Sequence, residues 1–434
     1  MAANALRDEA AGLLQELLRI DTVNPPGNET RAAELLRAYL EEAGLECTLL
    51  ARDPERANLL ARLPGGEGKR LLLLGHTDTV LADPDEWAVD PWSGELRDGE
   101  IRGRGALDMK SQVVANAVAL ATLAREGYRP KGDVLFAATA DEEVGTSDFG
   151  VSWLCREHPD ALRAEYCLNE GGGDRIVVDG RVFYLCAVAE KMSSPFRLRV
   201  RGRSGHASIP EVADNALVKA AGLVERLSQF APPRTYLPEA EAFVTALVGA
   251  SPGSADLDEH VAGLGEAVEA IVKPMLAMTV SPTMIEASRK RNVIPAVCDV
   301  TCDCRLLPGQ TQRDAEGLLR EWLGEGDWEL EWLEGVGGSR SSAHTLLWEA
   351  VSEWVARAEP GAKVVPAVLP GFTDSHYLRE AFGTIAYGFF PMRTMGADVA
   401  ARLVHSADER IPVDDLELGT RFVLDMARAL TSGV

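Results

Sequence analysis

The sequence has no long apolar run, and its longest weakly polar stretch, residues 113–124, is far shorter than the roughly 20 residues of a transmembrane helix. The first twenty residues also lack the apolar core of a signal peptide, because Asp8 and Glu9 interrupt it. Their spacing predicts an amphipathic helix instead. We therefore expect neither a membrane span nor a secretory leader.

Basic residues are few in comparison with acidic ones. The chain has 44 lysines and arginines and 67 aspartates and glutamates, which gives a formal net charge of -23. Phosphate groups repel such a surface, so we expect neither nucleic acid nor an anionic membrane as a partner. The length of 434 residues leaves room for about two or three domains with a large core.

Paired cysteines are also lacking. The seven cysteines are odd in number and scattered, which argues against a disulfide framework and favours a reducing, cytoplasmic location. The one cluster, Cys298, Cys302 and Cys304, does not have the spacing of a structural zinc site. It lies in a strand-like segment, so we interpret these three as small buried residues.

The segment around which the chain is organised is residues 71–80, LLLLGHTDTV. A short apolar run followed by glycine is typical of a buried strand in a parallel sheet, and such sheets carry their chemistry beyond the carboxyl ends of the strands. His76 and Asp78 lie there, and residues i and i+2 of an extended chain point to the same side. Taken alone, however, a histidine in this position is more often a hydrogen-bonded structural residue.

Strand-like segments alternate with helical patterns, such as residues 109–125, in the first part of the chain and again near its end. This alternation predicts an α/β fold with a mixed, mostly parallel sheet flanked by helices. From about Lys191 the pattern changes to half-exposed strands and separate helices, which indicates an inserted α+β domain. We predict a main domain formed by residues 1–192 and 339–434 and an inserted domain at residues 193–338.

Acidic residues and histidines recur at predicted strand ends and in the loops that follow them. A hydrolytic site with two metal ions needs imidazoles and at least one carboxylate that bridges ions about 3.5 to 4 Å apart. Glu142 is adjacent to Glu143, so the two side chains point to different sides, and one is free to accept a proton while the other binds metal. The candidate ligands are His76, Asp108, Glu143, Glu170 and His405.

Seven segments in order resemble one enzyme family: GHTDTV, GRGALDMKS, ATADEEVG, NEGG, GHAS, NVIP and VHSADERIP. Together they are similar to the zinc-dependent exopeptidases and amidohydrolases that include aminoacylase, acetylornithine deacetylase, succinyl-diaminopimelate desuccinylase and glutamate carboxypeptidase. One such segment would be weak support, but the ordered set covers nearly the whole chain. A dinucleotide-binding interpretation of GRGALDMK is improbable, because the third glycine is missing and no strand precedes it directly.

The resemblance implies two Zn²⁺ ions per subunit, although Co²⁺ or Mn²⁺ would also suit these ligands. His76 and Glu170 would hold one ion, Glu143 and His405 would hold the other, and Asp108 would bridge both.

The resemblance also assigns the catalytic groups. Asp78 would orient His76, and Glu142 would be the general base that deprotonates a metal-bridging water and later delivers the proton to the leaving amine. The peptide bond between Asp108 and Met109 is expected to be cis. Simpler roles remain open, because Asp78 could cap a turn and Glu142 could be a solvated charge.

Further residues are implied for substrate binding. His206 would hydrogen-bond the scissile carbonyl, often in the other subunit of a homodimer, and the inserted domain would serve as a lid and dimerisation domain. Asn292 and Arg305 would contact substrate, the arginine as a fork for an α-carboxylate. Gly371 and Thr373 would line the pocket. His206 could instead be a packed loop histidine, and Arg305 half of an ordinary ion pair.

These features predict a hydrolase that cleaves the amide bond of N-acyl amino acids or of the C-terminal residue of small peptides through a metal-bridged hydroxide. Glu170, in place of aspartate, matches the deacylase and carboxypeptidase branch of the family. One alternative is a dipeptidase or aminopeptidase that recognises a free amino group. Another is a catalytically silent binding protein, although no ligand or base is missing. We interpret residues 231–252 and 391–402 as loops that shape the pocket.

Overall fold

The computed structural model describes residues 3–145, 148–249, 261, 263–264 and 266–432. The chain divides into two compact units. The first unit comprises Met1–Val188, Ser341–Ala367 and Thr373–Val434, and the second comprises Ala189–Arg340 and Val368–Phe372.

Within the described residues the α-helices are, in chain order, α1 (Ala3–Leu18), α2 (Glu29–Glu42), α3 (Lys110–Arg125), α4 (Val151–Glu157), α5 (Pro159–Leu162), α6 (Ala216–Ser228), α7 (Pro238–Val248), α8 (Glu266–Leu276), α9 (Gln312–Leu323), α10 (Leu346–Ala358), α11 (Ser375–Phe382), α12 (Ala397–Leu403) and α13 (Val413–Thr431). No helix in this part of the chain is both long enough and apolar enough to cross a membrane.

The strands are β1 (Glu46–Leu50), β2 (Asn58–Leu63), β3 (Leu71–His76), β4 (Glu95–Arg97), β5 (Glu100–Arg102), β6 (Val134–Thr139), β7 (Tyr166–Asn169), β8 (Arg175–Val178), β9 (Arg181–Glu190), β10 (Met192–Ser193), β11 (Phe196–Arg201), β12 (Gly205–His206), β13 (Thr279–Glu286), β14 (Val293–Ile294), β15 (Val297–Leu306), β16 (Trp328–Trp332), β17 (Val336–Gly337), β18 (Lys363–Leu369), β19 (Ile385–Gly388) and β20 (Arg410–Pro412).

The first unit is built on a nine-stranded sheet with the order β1-β2-β6-β3-β7-β19-β9-β18, and β8 pairs with β9. The pairs β6–β3, β3–β7 and β7–β19 are parallel, whereas β1–β2 and β2–β6 are antiparallel. The predicted α/β class with a mixed sheet is thus confirmed. Its parallel part lies in the centre, where the apolar runs predicted it.

Strand β3 is buried along its whole length because helices cover both faces. Leu72 and Leu74 pack in one cluster with α4 residues such as Leu154. On the opposite face, a Cβ at Gly75 would lie 2.8 Å from Val113 of α3, so only glycine allows this close approach. The long apolar run of the sequence therefore forms the centre of the main core.

The second unit contains a six-stranded sheet with the order β16-β11-β15-β10-β17, to which β13 adds by pairing with β15. Residues of β11 and β15 alternate between a buried face and a more exposed face. Helices α6 and α9 cover the buried face, where Cys298, Cys302 and Cys304 lie in the core as free thiols. The interpretation of these cysteines as small buried residues is confirmed.

The prediction that residues 231–252 and 391–402 form loops is partly wrong. The segment 231–252 contains helix α7, and the segment 391–402 contains the start of α12; residues 250–252 lie outside the described part of the chain. The proline content of the first segment favours a loop, but Pro238 occupies the first turn of α7, where a missing N–H costs nothing.

Candidate metal centre

The carboxyl ends of adjacent parallel strands bring the first candidate ligands together. His76 ends β3 and is paired with Thr139, the last residue of β6. Glu143 follows β6 in the chain, and Glu170 directly follows β7 on the other side of β3. The three side chains therefore begin at one edge of the sheet, as the sequence predicted.

A small sheet brings together the loops of the other two candidate ligands, Asp108 and His405. Strand β20 pairs antiparallel with β5, with Arg410 opposite Arg102. The loop that follows β5 and carries Asp108 therefore lies beside the loop that precedes β20 and carries His405. Strand β5 ends directly before GRGALDMK, so the expectation that no strand precedes this segment was wrong, although the third glycine is still missing. The peptide bond from Asp108 to Met109 is cis, as the resemblance implied.

All five predicted ligands meet in one cluster. His76 Nε2 lies 3.1 Å from Asp108 Oδ1 and 3.6 Å from Glu170 Oε2. His405 Nε2 lies 3.1 Å from Asp108 Oδ2 and 3.2 Å from Glu143 Oε2. Two groups of three residues share Asp108: one also contains His76 and Glu170, and the other Glu143 and His405. In each group, the ligand atoms of the three residues lie within 4.8 Å of one another. The two oxygens of Asp108 thus face two different imidazoles.

The chemistry of these donors fits a pair of divalent cations. Imidazole nitrogens and carboxylate oxygens are the ligands of zinc and similar ions in hydrolytic enzymes. Moreover, Glu143 Oε1 is buried and has no hydrogen-bond partner among the described residues. A buried acceptor without a partner is costly, and a cation beside it would remove that cost.

The acidic residues and histidines of the cluster shift one another's pKa values. Burial raises the pKa of Glu170 to about 7. Burial also opposes ionisation of Asp108, yet hydrogen bonds to His405 and His76 hold its pKa well below its usual range. Hydrogen bonds to Asp108 and Glu143 raise the pKa of His405 to about 10. The carboxylates around His405 therefore favour a positive charge at this position, as they would favour a cation.

Asp78 contacts the turn that carries the predicted base. Its Oδ1 accepts the N–H of Glu142 at 3.2 Å, and its Oδ2 accepts that of Glu143 at 3.1 Å. His76 Nδ1 is closer to the main-chain oxygen of Asp78, at 3.0 Å, than to its carboxylate, at 3.4 Å. The fully buried carboxylate thus holds the Glu142 turn, and its contact with His76 is the longer one.

Glu142 itself is only partly exposed. Burial, joined by the charge of Glu170, raises the pKa of Glu142 well above its usual range.

A buried network behind this turn was missed by the sequence analysis. Asn24 Nδ2 donates to Asp78 at 2.9 Å and to Asp141 at 3.1 Å. Arg56 donates a hydrogen bond to Asp141 at 3.2 Å, and two of its nitrogens donate to the carboxylate of Glu29. The sequence indicates Asn24 only as part of a helix-breaking turn, and nothing in the local pattern around Arg56 or Glu29 indicates their partners.

A second buried acid near the cluster was also missed. Asp374 accepts a hydrogen bond from the Thr139 hydroxyl at 3.3 Å. Burial raises the pKa of Asp374 well above its usual range, and the negative charge of Glu170 adds to this. The signal for it is its place in the segment GFTDSHY, directly after Thr373.

Thr373 and Gly371 fall into different units. Thr373 belongs to the first unit and is buried, and its hydroxyl accepts the N–H of Ser375 at 3.2 Å. Gly371 belongs to the short segment Val368–Phe372 of the second unit.

The second unit contains the three other predicted substrate residues. His206 in β12 pairs with Val293 in β14, and the N–H of Ala207 donates to the main-chain oxygen of Asn292 at 3.1 Å, so His206 and Asn292 are close. Arg305 lies in β15, and two of its nitrogens donate three hydrogen bonds of 2.9 to 3.1 Å to the two carboxylate oxygens of Asp303. In this structure Arg305 is therefore half of an ion pair.

Comparison with known proteins identifies the family. The model of "Peptidase family M20/M25/M40" matches residues 72–429. The chain is 28% identical over 419 residues to succinyl-diaminopimelate desuccinylase of Cereibacter sphaeroides, covering 94% of this chain and 95% of that protein. It is 27% identical over 375 residues to N-fatty-acyl-amino acid synthase/hydrolase PM20D1 of Xenopus tropicalis, covering 82% of this chain and 71% of that protein.

A solved structure shares the fold. The M20 family metallo-carboxypeptidase Sso-CP2 from Sulfolobus solfataricus superposes with a TM-score of 0.73 at 18% identity, covering 98% of this chain and 99% of that one. Since the family match extends over most of its length, the chain belongs to peptidase family M20/M25/M40.

Proposed function

We propose that this hydrolase cleaves the amide bond of an N-acyl amino acid or of the C-terminal residue of a small peptide. The observation that carries the proposal is the pair of imidazoles on the two oxygens of Asp108, flanked by Glu143 and Glu170. The names of the desuccinylase and of the N-fatty-acyl-amino acid hydrolase support an acylated amine as the substrate.

His76 and Glu170 would hold one Zn²⁺, Glu143 and His405 a second, and Asp108 would bridge them. When bound, such ions polarise a carbonyl oxygen and lower the pKa of water. Co²⁺ or Mn²⁺ would be accepted by the same donors.

Glu142 would take the proton from the attacking water and return it to the leaving amine when the C–N bond breaks. Its position supports this role, because the charges of the candidate ligands Glu170 and His76 act on its carboxylate while Asp78 holds the Glu142 N–H. The water oxygen forms the new bond to the carbonyl carbon, so the products are a carboxylic acid and a free amine.

His206 would donate a hydrogen bond to the scissile carbonyl oxygen. The N–H of Ser208 points at His206 Nδ1 at 3.2 Å, and since an N–H only donates, this nitrogen must accept. The proton of the neutral ring therefore lies on Nε2, which is the donor that the role needs.

The remaining predicted residues would recognise the substrate. Arg305 would bind the α-carboxylate by exchanging its bond with Asp303 for one with the ligand. Asn292, Gly371 and Thr373 would contact the rest of the substrate. The second unit would serve as lid and dimerisation domain of a homodimer. The seven free cysteines support a reducing, cytoplasmic environment.

The test is hydrolysis of a panel of N-acyl amino acids and small peptides by the zinc-loaded protein, with and without chelator. We expect chelator to abolish activity, and Glu142→Gln to lower kcat by about 100-fold or more, because general base catalysis contributes roughly 10²–10⁴-fold. The variant should still bind two metal ions.

Glu359→Gln is the matched control, since it removes a carboxylate of the same unit whose hydrogen-bond partners, Arg175 and Tyr184, are not among the candidate ligands. A Glu142→Gln variant as fast as the parent would disprove the base assignment. Faster cleavage of free-amine dipeptides than of their N-acetylated forms would favour a dipeptidase. A protein that binds metal and hydrolyses no member of the panel would favour the silent binding protein.

A further inference from the structure

Glu409 is a fully buried carboxylate with an unusual set of partners. Its Oε1 accepts the N–H of Leu107 at 2.6 Å and that of Asp108 at 2.9 Å. Its Oε2 accepts the N–H of Gly105 at 3.1 Å and a guanidinium nitrogen of Arg104 at 2.7 Å. Both oxygens are therefore engaged, and three of the four donors are main-chain groups of the loop that ends in Asp108.

The main chain of Glu409 adds a further contact. Its carbonyl oxygen accepts the N–H of Gly103 at 3.0 Å, which continues the pairing of β20 with β5. Residues 103–108 are thus tied to one residue at four main-chain N–H groups. Glu409 also lies four positions after His405, whose Nε2 faces the second oxygen of Asp108. One residue therefore joins the loops that carry two candidate ligands.

The charge of Glu409 is matched by a second buried residue. Arg104 is 3% exposed, donates to the main-chain oxygen of Leu81 at 3.1 Å, and lies over the ring of Trp87 at 5.2 Å. Arg104 is therefore fixed by contacts of its own. The buried pair is fully hydrogen-bonded on the carboxylate side, which is the condition under which such a pair is tolerated in a core.

We propose that Glu409 is a positioning residue, which fixes the main chain at Asp108 so that its two oxygens face His76 and His405 before any cation binds. This inference rests on the proposed role of Asp108 as a bridging ligand. Glu409 would be the residue that keeps Asp108 in the position needed for this role. Groups that orient metal ligands typically contribute 10- to 100-fold to metal affinity.

Glu409→Gln tests the proposal, because glutamine has nearly the same shape but only one acceptor oxygen. The NH₂ group of the glutamine would replace one of the two oxygens. A donor would then face either the two main-chain N–H groups at one oxygen position or the Arg104 guanidinium at the other, and no hydrogen bond could form there. We expect the dissociation constants of Zn²⁺ or Co²⁺, measured by calorimetry on the metal-free protein, to rise by about 10- to 100-fold. Hydrogen exchange at the amides of Leu107 and Asp108 should become faster.

Two controls separate positioning from general stability. Glu359→Gln breaks another Glu–Arg pair of the same unit. Arg104→Lys keeps the positive charge and leaves the three main-chain donors in place. Both should bind metal nearly as the parent does. Parent-like affinity and parent-like exchange in Glu409→Gln would overturn the proposal, and so would an equal loss of affinity in Glu359→Gln.

The parent protein gives a second measurement should Glu409→Gln fail to fold. In its metal-free form, the amides of Leu107 and Asp108 should exchange slowly although they lie in a loop. Exchange as fast as that of the exposed turn at Asp98 would overturn the proposal. A parent that binds no divalent metal would instead disprove the proposed function itself.

Discussion

At the scale of single residues, the carboxylates of the site have different hydrogen-bond partners although their chemical groups are the same. Glu143 and Glu170 point toward imidazoles, whereas Asp78 and Glu409 receive main-chain N–H groups. The sequence predicted the first pair from their places after apolar runs. For Asp78 the resemblance implied a contact with His76, and the turn-capping role that remained open is the one with the shorter contacts. The role of Glu409 was not predicted, since the hydrogen bond from the Asp108 N–H to Glu409 joins residues 301 positions apart.

A buried lysine makes stability depend on pH. Lys191 is fully buried, and its ammonium has no hydrogen-bond partner within the described residues. Burial lowers the pKa of Lys191 from 10.5 to about 8. Below pH 8 the amine is charged in the folded and the unfolded chain, so the fold bears the full cost of burying the charge. Between pH 8 and 10.5 the folded form loses its proton first, and the cost disappears.

We therefore expect Lys191→Met to raise the free energy of unfolding by about 3 kcal/mol at pH 7 and by only about 1 kcal/mol at pH 10. Urea unfolding of both proteins at the two pH values measures this difference. Since other titrating groups are common to both proteins, their effects cancel. A difference that stays constant with pH would contradict the pKa of Lys191.

At the scale of elements, the strands that are buried on both faces were predictable from the sequence. Residues 71–75 of β3 and 134–138 of β6 are apolar, and both strands are buried throughout. Helix α7 was missed, because its proline and its acidic first turn resemble a loop when the sequence is taken alone. Proline is common both in loops and at the first turn of a helix, so the residue by itself does not separate the two.

Strand β3 gives the prediction at this scale. Leu73 is fully buried at its centre, so Leu73→Ala removes methyl groups from a site with helices on both sides. We expect the free energy of unfolding to fall by about 3 to 5 kcal/mol. Leu96→Ala, at a leucine of β4 that is 48% exposed, should change it by less than about 0.5 kcal/mol. Urea unfolding at neutral pH compares the two, and equal losses would show that β3 is not the centre of the core.

At the scale of the molecule, several large apolar side chains of the second unit are exposed. Ile209, Val212 and Val218 are 52%, 57% and 66% exposed, and Met284 and Ile285 in β13 are 59% and 52% exposed. Within the described residues β13 pairs with β15 alone, so its other edge is unpaired. Unpaired strand edges and exposed apolar side chains favour association, and in a twofold dimer a second copy of the chain presents the same groups.

We expect the protein to sediment as a dimer at micromolar concentration and Val218→Asp to sediment as a monomer. Val177→Asp is the matched control, because it places the same charge at a valine of the first unit that is 53% exposed. Sedimentation of the parent as a monomer would remove the expectation of a homodimer.

The ligands of the candidate centre are drawn from both sides of the insertion. His76, Asp108, Glu143 and Glu170 precede the second unit in sequence, and His405 comes after it. A ribosome must therefore make the entire insertion before the second imidazole exists. Until then, the chain contains the three candidate carboxylate ligands Asp108, Glu143 and Glu170 but only one of the two imidazole ligands, His76. A chain that ended with the insertion would lack His405, and it would also lack β19, which pairs with β7 inside the sheet that positions the other ligands.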